Sequence, residues 1–201
     1  MKYNDFRKAV KNPYFSWQDI KLAGLNVLKY QISLWKKKGN IERLKRGLYV
    51  FSDEREKISP QRISFLLYEP SYISLESALS HYGFIPEMVY AVTAVTARTT
   101  RKFSNAYGSF IYRHIRPDLF FGYIILENEN GKYLLAEPEK AVLDYFYLNL
   151  SRLNNQDDID GLRINYAELQ RAINKKKLAG YLAEYRVKKL EKVINMLLKK
   201  C

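Results

Sequence analysis

Five side chains in the middle of the sequence have the types needed for hydrolytic chemistry: Glu76, Glu137, Glu139, Lys140 and Asp144. Carboxylates can hold Mg2+, and a lysine can steady the charge that develops at a phosphoryl group. Their spacing weighs against that use. Glu139 and Lys140 are adjacent, so a helix points them about 100° apart, whereas a metal-dependent nuclease strand carries its acid and lysine on alternate residues of one face. His81 and His114 have no second His or Cys at ligand spacing and sit where a half-buried ring is expected. No glycine-rich phosphate loop opens a helix and no nucleophile lies in a strand-to-helix elbow. The expectation is a protein that is not an enzyme, with no catalytic residue, no metal and no cofactor. A metal-dependent nuclease, or another nucleic-acid-processing activity using the Glu137 to Asp144 region, is the alternative.

A second set lies near the N-terminus: Asn26, Lys29, Tyr30, Ser33, Lys37, Arg43, Lys45 and Arg46. These types donate hydrogen bonds to base edges and phosphates. The elements that must position them follow from local signals. A first helix over 3–11 places Phe6 and Val10 on one face. After Asn12-Pro13, Ser16 and Asp19 have capping-box spacing for a helix reaching residue 23, and Gly24 supplies the turn. A third helix is expected over 26–38, starting at Asn26 and stopped by Gly39-Asn40, with Leu25, Leu28, Ile32 and Trp35 inward. Asn26, Tyr30, Ser33 and Lys37 then lie on the opposite side, and Lys29 flanks it. Residues 41–51 read as a hairpin turning at Gly47, with Arg43, Lys45 and Arg46 near its tip. Helix, tight turn, helix and hairpin together predict a winged helix-turn-helix over 1–52 that binds double-stranded DNA.

A charged stretch, 53–57, predicts a linker. Beyond it Ser59-Pro60 opens one helix and Ser74 another, which stops at Gly83. Strands are expected over 89–97, 109–115, 122–127 and 132–135, the last two joined through Asn130-Gly131. Helical patterns follow from Glu137 and over 165–177 and 178–199. The fold class is therefore α+β, with the winged helix-turn-helix at 1–52 and an α+β domain over 59–201 that ends in helices.

Composition sharpens this picture through its distribution. The 201 residues carry a net charge of +13. Residues 1–52 hold 12 Lys and Arg against 3 Asp and Glu, residues 53–150 hold 10 against 12, and residues 151–201 hold 12 against 6. The balances are +9, −2 and +6, so a basic end suited to a polyanion is joined to a near-neutral middle. Lys175, Lys176, Lys177, Lys188, Lys189 and Lys192 form a second basic face, read as solvated or as an extension of a DNA footprint. A single cysteine, Cys201, and an opening without a signal-like apolar run predict the cytoplasm. No apolar run approaches the roughly 20 residues that cross a bilayer, so no membrane partner is expected.

Several segments are similar to one family. Arg46-Gly47-Leu48-Tyr49, the run from Tyr72 to Leu79 continuing through Gly83-Phe84-Ile85-Pro86-Glu87, and residues 93–98 stand in the order of the AbiEi antitoxins. So do Tyr107-Gly108-Ser109-Phe110-Ile111-Tyr112 and the run Ala136-Glu137-Pro138-Glu139-Lys140-Ala141-Val142-Leu143-Asp144-Tyr145. The resemblance covers about residues 5 to 150. It implies an antitoxin of a type IV toxin–antitoxin, abortive-infection system that represses its own promoter at inverted repeats. The functional partner it implies is a nucleotidyltransferase toxin encoded next door, with which the antitoxin need not form a stable complex. The family pattern contains Glu137-Pro138-Glu139-Lys140, for which a helix start with proline and acids is sufficient explanation.

Overall fold

The structure is a computed structural model and describes residues 1–86, 90–128 and 131–200. Glu87 of the family-like segment, Val89 at the start of an expected strand, Asn130 of the expected hairpin turn and Cys201 lie outside the described residues. The chain is mixed α+β, with a helix–strand–helix region first and helices last.

Six elements make up the N-terminal part: α1 (Tyr3–Ala9), β1 (Tyr14–Ser16), α2 (Trp17–Leu22), α3 (Lys29–Lys37), β2 (Ile41–Lys45) and β3 (Leu48–Phe51). The strands form an antiparallel sheet in the order β1-β3-β2, and the whole arrangement is compatible with a winged helix. Ser16 caps α2 as its spacing predicts: its Oγ accepts from the Asp19 N–H at 3.2 Å, and the Asp19 carboxylate accepts from the Ser16 N–H at 2.6 Å. Helix α3 starts later than expected. Leu28, not Asn26, precedes its first turn, and the buried Gln31 supplies the cap, accepting from the Leu28 N–H at 2.8 Å while donating to the Met1 carbonyl at 2.6 Å. Val27 consequently takes the inward place assigned to Leu28, which is 52% exposed. The core is aromatic: Phe6 lies 4.9 Å from both Phe15 and Trp35, and Phe15 lies 4.9 Å from Phe51, centroid to centroid.

A 3-10 turn, Ser52–Lys57, leads to α4 (Pro60–Leu67), β4 (Ser71–Ile73), α5 (Leu75–His81), β5 (Ala91–Thr96), β6 (Arg101–Asn105), β7 (Gly108–His114), β8 (Tyr123–Asn128) and β9 (Gly131–Ala136). Strands β4 to β9 form one mixed sheet in the order β6-β7-β5-β4-β9-β8. Two of them, β4 and β6, are absent from the sequence reading. β4 is three residues long and buried throughout, so it has no alternation, and β6 reads Arg-Lys-Phe-Ser-Asn with one apolar residue. The helices α6 (Pro138–Leu148), α7 (Gln156–Asp160), α8 (Tyr166–Ala172), α9 (Lys175–Tyr185) and α10 (Lys188–Leu198) close the chain. The expected boundary at 177/178 is displaced: Asn174 restarts the helix by accepting from the Lys177 N–H at 3.0 Å, and Arg186 ends α9 in a left-handed conformation, φ 53°.

The N-terminal sheet has two buried faces. Ile41 and Phe51 pack inward on the helices, whereas Leu44, Leu48 and Val50 pack with Ile63, Leu67 and Tyr112 of the following domain. Polar stitches cross the same seam. The Arg62 guanidinium donates to the Tyr14 hydroxyl at 2.5 Å and to the Lys132 carbonyl, and Asn105 Nδ2 donates to the Leu44 carbonyl at 3.3 Å. The segment expected to be a linker thus runs beside a shared core.

Candidate nucleic-acid interface

Helix α3 turns Gln31, Ile32 and Trp35 inward, which leaves Lys29, Tyr30, Ser33 and Lys37 exposed on the opposite side. Three- and four-residue spacing puts these four on one stripe, as the sequence predicts. Asn26 is exposed too, in the loop before α3 rather than on the helix. Across from the helix stands the β2–β3 hairpin, whose turn depends on Gly47 at φ +83°. Arg43 projects from β2 and Arg46 from the hairpin tip, both exposed. A groove of about 390 Å3 between helix and hairpin is lined by Ile32, Ser33, Lys36, Lys37, Arg43 and Tyr49. A larger one of about 800 Å3 lies between the hairpin and β6, where Lys36, Arg43 and Arg46 face Ser104 and Asn105.

Lys36 is a member of this face that the sequence reading left out; the clue was its place in Lys36-Lys37-Lys38, three residues after Ser33. Lys29, Lys36, Lys37, Arg43 and Arg46 make no ion pair among the described residues, whereas Arg7 is paired with Asp53 and Glu54 and Arg55 with Glu42. The larger groove also holds one acid, Glu42, whose carboxylate is paired with Arg55, so these five unpaired cations leave a positive field that draws a polyanion.

Lys45 does not join them. Its Nζ turns back beneath the hairpin and donates to the Leu66 and Leu67 carbonyls at 3.1 and 2.8 Å, covering the C-terminal end of α4. Burial holds its ammonium below the usual lysine range, opposed by the charge of Glu69. The strand period explains the difference: Arg43 and Lys45 would share a face in a regular strand, but the β2–β3 register shifts between them.

The acidic set is dispersed into the fold rather than gathered around a vacant centre. The Glu137 carboxylate accepts from Lys177 Nζ at 2.7 Å and the Tyr181 hydroxyl at 2.6 Å. Glu139 accepts from the Asn174 N–H at 2.7 Å. Asp144, fully buried, accepts from Tyr72 at 2.8 Å, Ser74 at 3.0 Å and Tyr185 at 2.7 Å, and pairs with Lys140. Burial, reinforced by the Asp144 charge, raises the Tyr72 and Tyr185 hydroxyls well above the ordinary tyrosine range. Burial lowers the Lys140 ammonium against the pull of Asp144. At Glu137 burial acts to raise the carboxyl, but the hydrogen bonds from Lys177 and Tyr181 outweigh it and leave it below its usual value. Tyr181 is pushed up to about 12 by burial and by its bond to Glu137. Among the described residues no three His, Cys, Asp or Glu side chains stand where they could share a metal ion.

His81 and His114 are both exposed, contrary to expectation; His81 stands edge-on to Tyr82, and His114 Nδ1 lies 2.8 Å from the Arg98 carbonyl. Of the C-terminal lysines, Lys177 is held by Glu137 and Lys189 donates to Asn154 at 2.9 Å, while Lys175, Lys176, Lys188 and Lys192 are exposed. Among the described residues no helix is long and apolar enough to cross a membrane. No family model matches the sequence, and a search of curated proteins found no match.

Proposed function

We propose that this chain binds double-stranded DNA through α3 and the β2–β3 wing and represses its own promoter as the antitoxin of a type IV toxin–antitoxin pair. The observation that supports the DNA half is the set of exposed cations without an ion pair among the described residues, Lys29, Lys36, Lys37, Arg43 and Arg46, carried by α3 and the adjoining hairpin. In this reading Lys29, Tyr30, Ser33 and Lys37 enter the major groove with Asn26 at its rim, and Arg43 and Arg46 meet the backbone. Lys45 serves the fold instead. The antitoxin half rests on the resemblance to the AbiEi antitoxins, with a neighbouring nucleotidyltransferase as toxin and the cytoplasm as the compartment.

Binding to the chain's own upstream DNA, measured over a series of salt concentrations, tests the DNA half. Affinity is expected to fall linearly on logarithmic axes, and Lys37→Ala and Arg46→Ala should each reduce the slope by about one. A chain that ignores this DNA, or two variants with the wild-type slope, would sink the reading. Co-expression with the nucleotidyltransferase tests the other half separately, because growth that stays arrested removes the antitoxin role and leaves DNA binding standing.

A further inference from the structure

The two edges of the six-stranded sheet are treated differently. At one end β6 carries Arg101 and Lys102 and lies beside the wing, with Asn105 bonded to the Leu44 carbonyl. At the other end β8 reads Tyr-Ile-Ile-Leu-Glu-Asn, a regular strand with no proline, bulge or lysine to blunt it. Ile125 is 68% and Ile124 38% exposed there, two large apolar residues side by side on the edge strand.

The ladder shows which backbone groups of β8 are free. Glu137 N–H donates to the Gly122 carbonyl at 2.9 Å, which makes that pair hydrogen-bonded, and bonded and non-bonded pairs alternate along an antiparallel ladder. With Tyr123 opposite Ala136, Ile124 opposite Leu135 and Leu126 opposite Tyr133, the bonds to β9 are made by Ile124 and Leu126. Tyr123, Ile125 and Glu127 direct their N–H and C=O groups away from β9, and none of these finds a partner among the described residues.

We propose that this edge pairs with β8 of a second copy of the chain, antiparallel about a two-fold axis through Ile125, joining the two sheets into one. The strand is self-complementary in that register. Ile125 faces its own copy, Ile124 faces Leu126 of the other chain on one side of the sheet, and Tyr123 faces Glu127 on the opposite side. Such pairing of a strand with itself is the isologous contact of a two-fold dimer. Charge favours a second copy at this place. The one charged side chain of β8, Glu127, is paired with Lys132 at 3.0 Å and in this register faces Tyr123, so no two like charges oppose each other across the edge.

Sedimentation velocity of the full chain decides the matter. The wild type is expected to sediment as a dimer, at twice the 23.7 kDa chain mass, at micromolar concentration. Ile125→Pro should sediment as a monomer with unchanged circular dichroism and melting, because the N–H it deletes points outward and the β9 ladder survives. A wild type that stays monomeric at every concentration, or a folded Ile125→Pro that stays dimeric, overturns the proposal. Should Ile125→Pro melt early, cross-linking settles the question in a Cys201→Ser background. Directly opposed Cα atoms of a bonded pair sit about 5.5 Å apart, within disulfide reach, so oxidised Ile125→Cys should link two chains. Glu127→Cys, opposite Tyr123, should not. Absence of a link at 125, or equal linking at 127, overturns the register.

Discussion

Asp144 and Lys140 meet where no water reaches either of them, four residues apart on α6. Tyr72, Ser74 and Tyr185 saturate the carboxylate from β4, the loop after it and α9, and Lys140 Nζ donates to both Asp144 and the Tyr185 hydroxyl, so the charge pair is tolerated through five converging bonds. Removing one member leaves the other charged and unsolvated. Asp144→Ala is therefore expected to lose about 3–5 kcal/mol in chemical denaturation, and the double change Lys140→Met, Asp144→Leu to recover much of that loss. A single variant as stable as wild type would show that the pair matters little. The i, i+4 spacing of these two residues was visible in the sequence. Their burial was not, because β4 and α9 are supplied from 72 and 41 residues away.

At the scale of elements, two fastenings rest on single charged side chains. Glu137 at the start of α6 holds α9 through Lys177 and Tyr181, and its carboxyl is kept below the ordinary 4.5. A carboxyl with a lowered folded-state value contributes stability that is complete above about 4.5 and is lost as the pH falls through the folded value. Melting of the wild type should decline in that acid window, and Glu137→Gln should show a shallower decline. Lys45 fastens the β2–β3 hairpin to the end of α4, so Lys45→Met is expected to cost about 1–3 kcal/mol while leaving the salt slope of the proposed DNA binding unchanged, the reverse of Arg46→Ala. Equal slopes for wild type and Lys45→Met, with a lower slope for Arg46→Ala, check this directly. What the sequence disclosed of the elements followed the strength of the local signal. The Ser16–Asp19 box and the Gly47 turn are written within a few residues and were legible. β4 is set by its pairing with β5 and β9, far along the chain, whereas β6 and the bulge that turns Lys45 inward lie in local hairpins with β7 and β3 and were missed because neither a polar strand nor a register shift leaves a period-two signal.

The whole molecule has no clean seam between its basic end and its sheet, since Leu44, Leu48 and Val50 belong to a cluster completed by Ile63, Leu67 and Tyr112. Both tryptophans, Trp17 and Trp35, report on the N-terminal part, whereas circular dichroism reports mostly on the rest. A shared core predicts coincident unfolding curves from the two probes, and separated midpoints would show two independent units. The same packing bears on recognition. A hairpin clamped from both sides, by its own helices and by α4, has little conformational freedom left to surrender when it touches a ligand. Under the DNA-binding proposal, association should then carry a small ordering entropy and a heat-capacity change that reflects contact area alone, any mismatch in shape being absorbed by bending of the DNA and not of the hairpin.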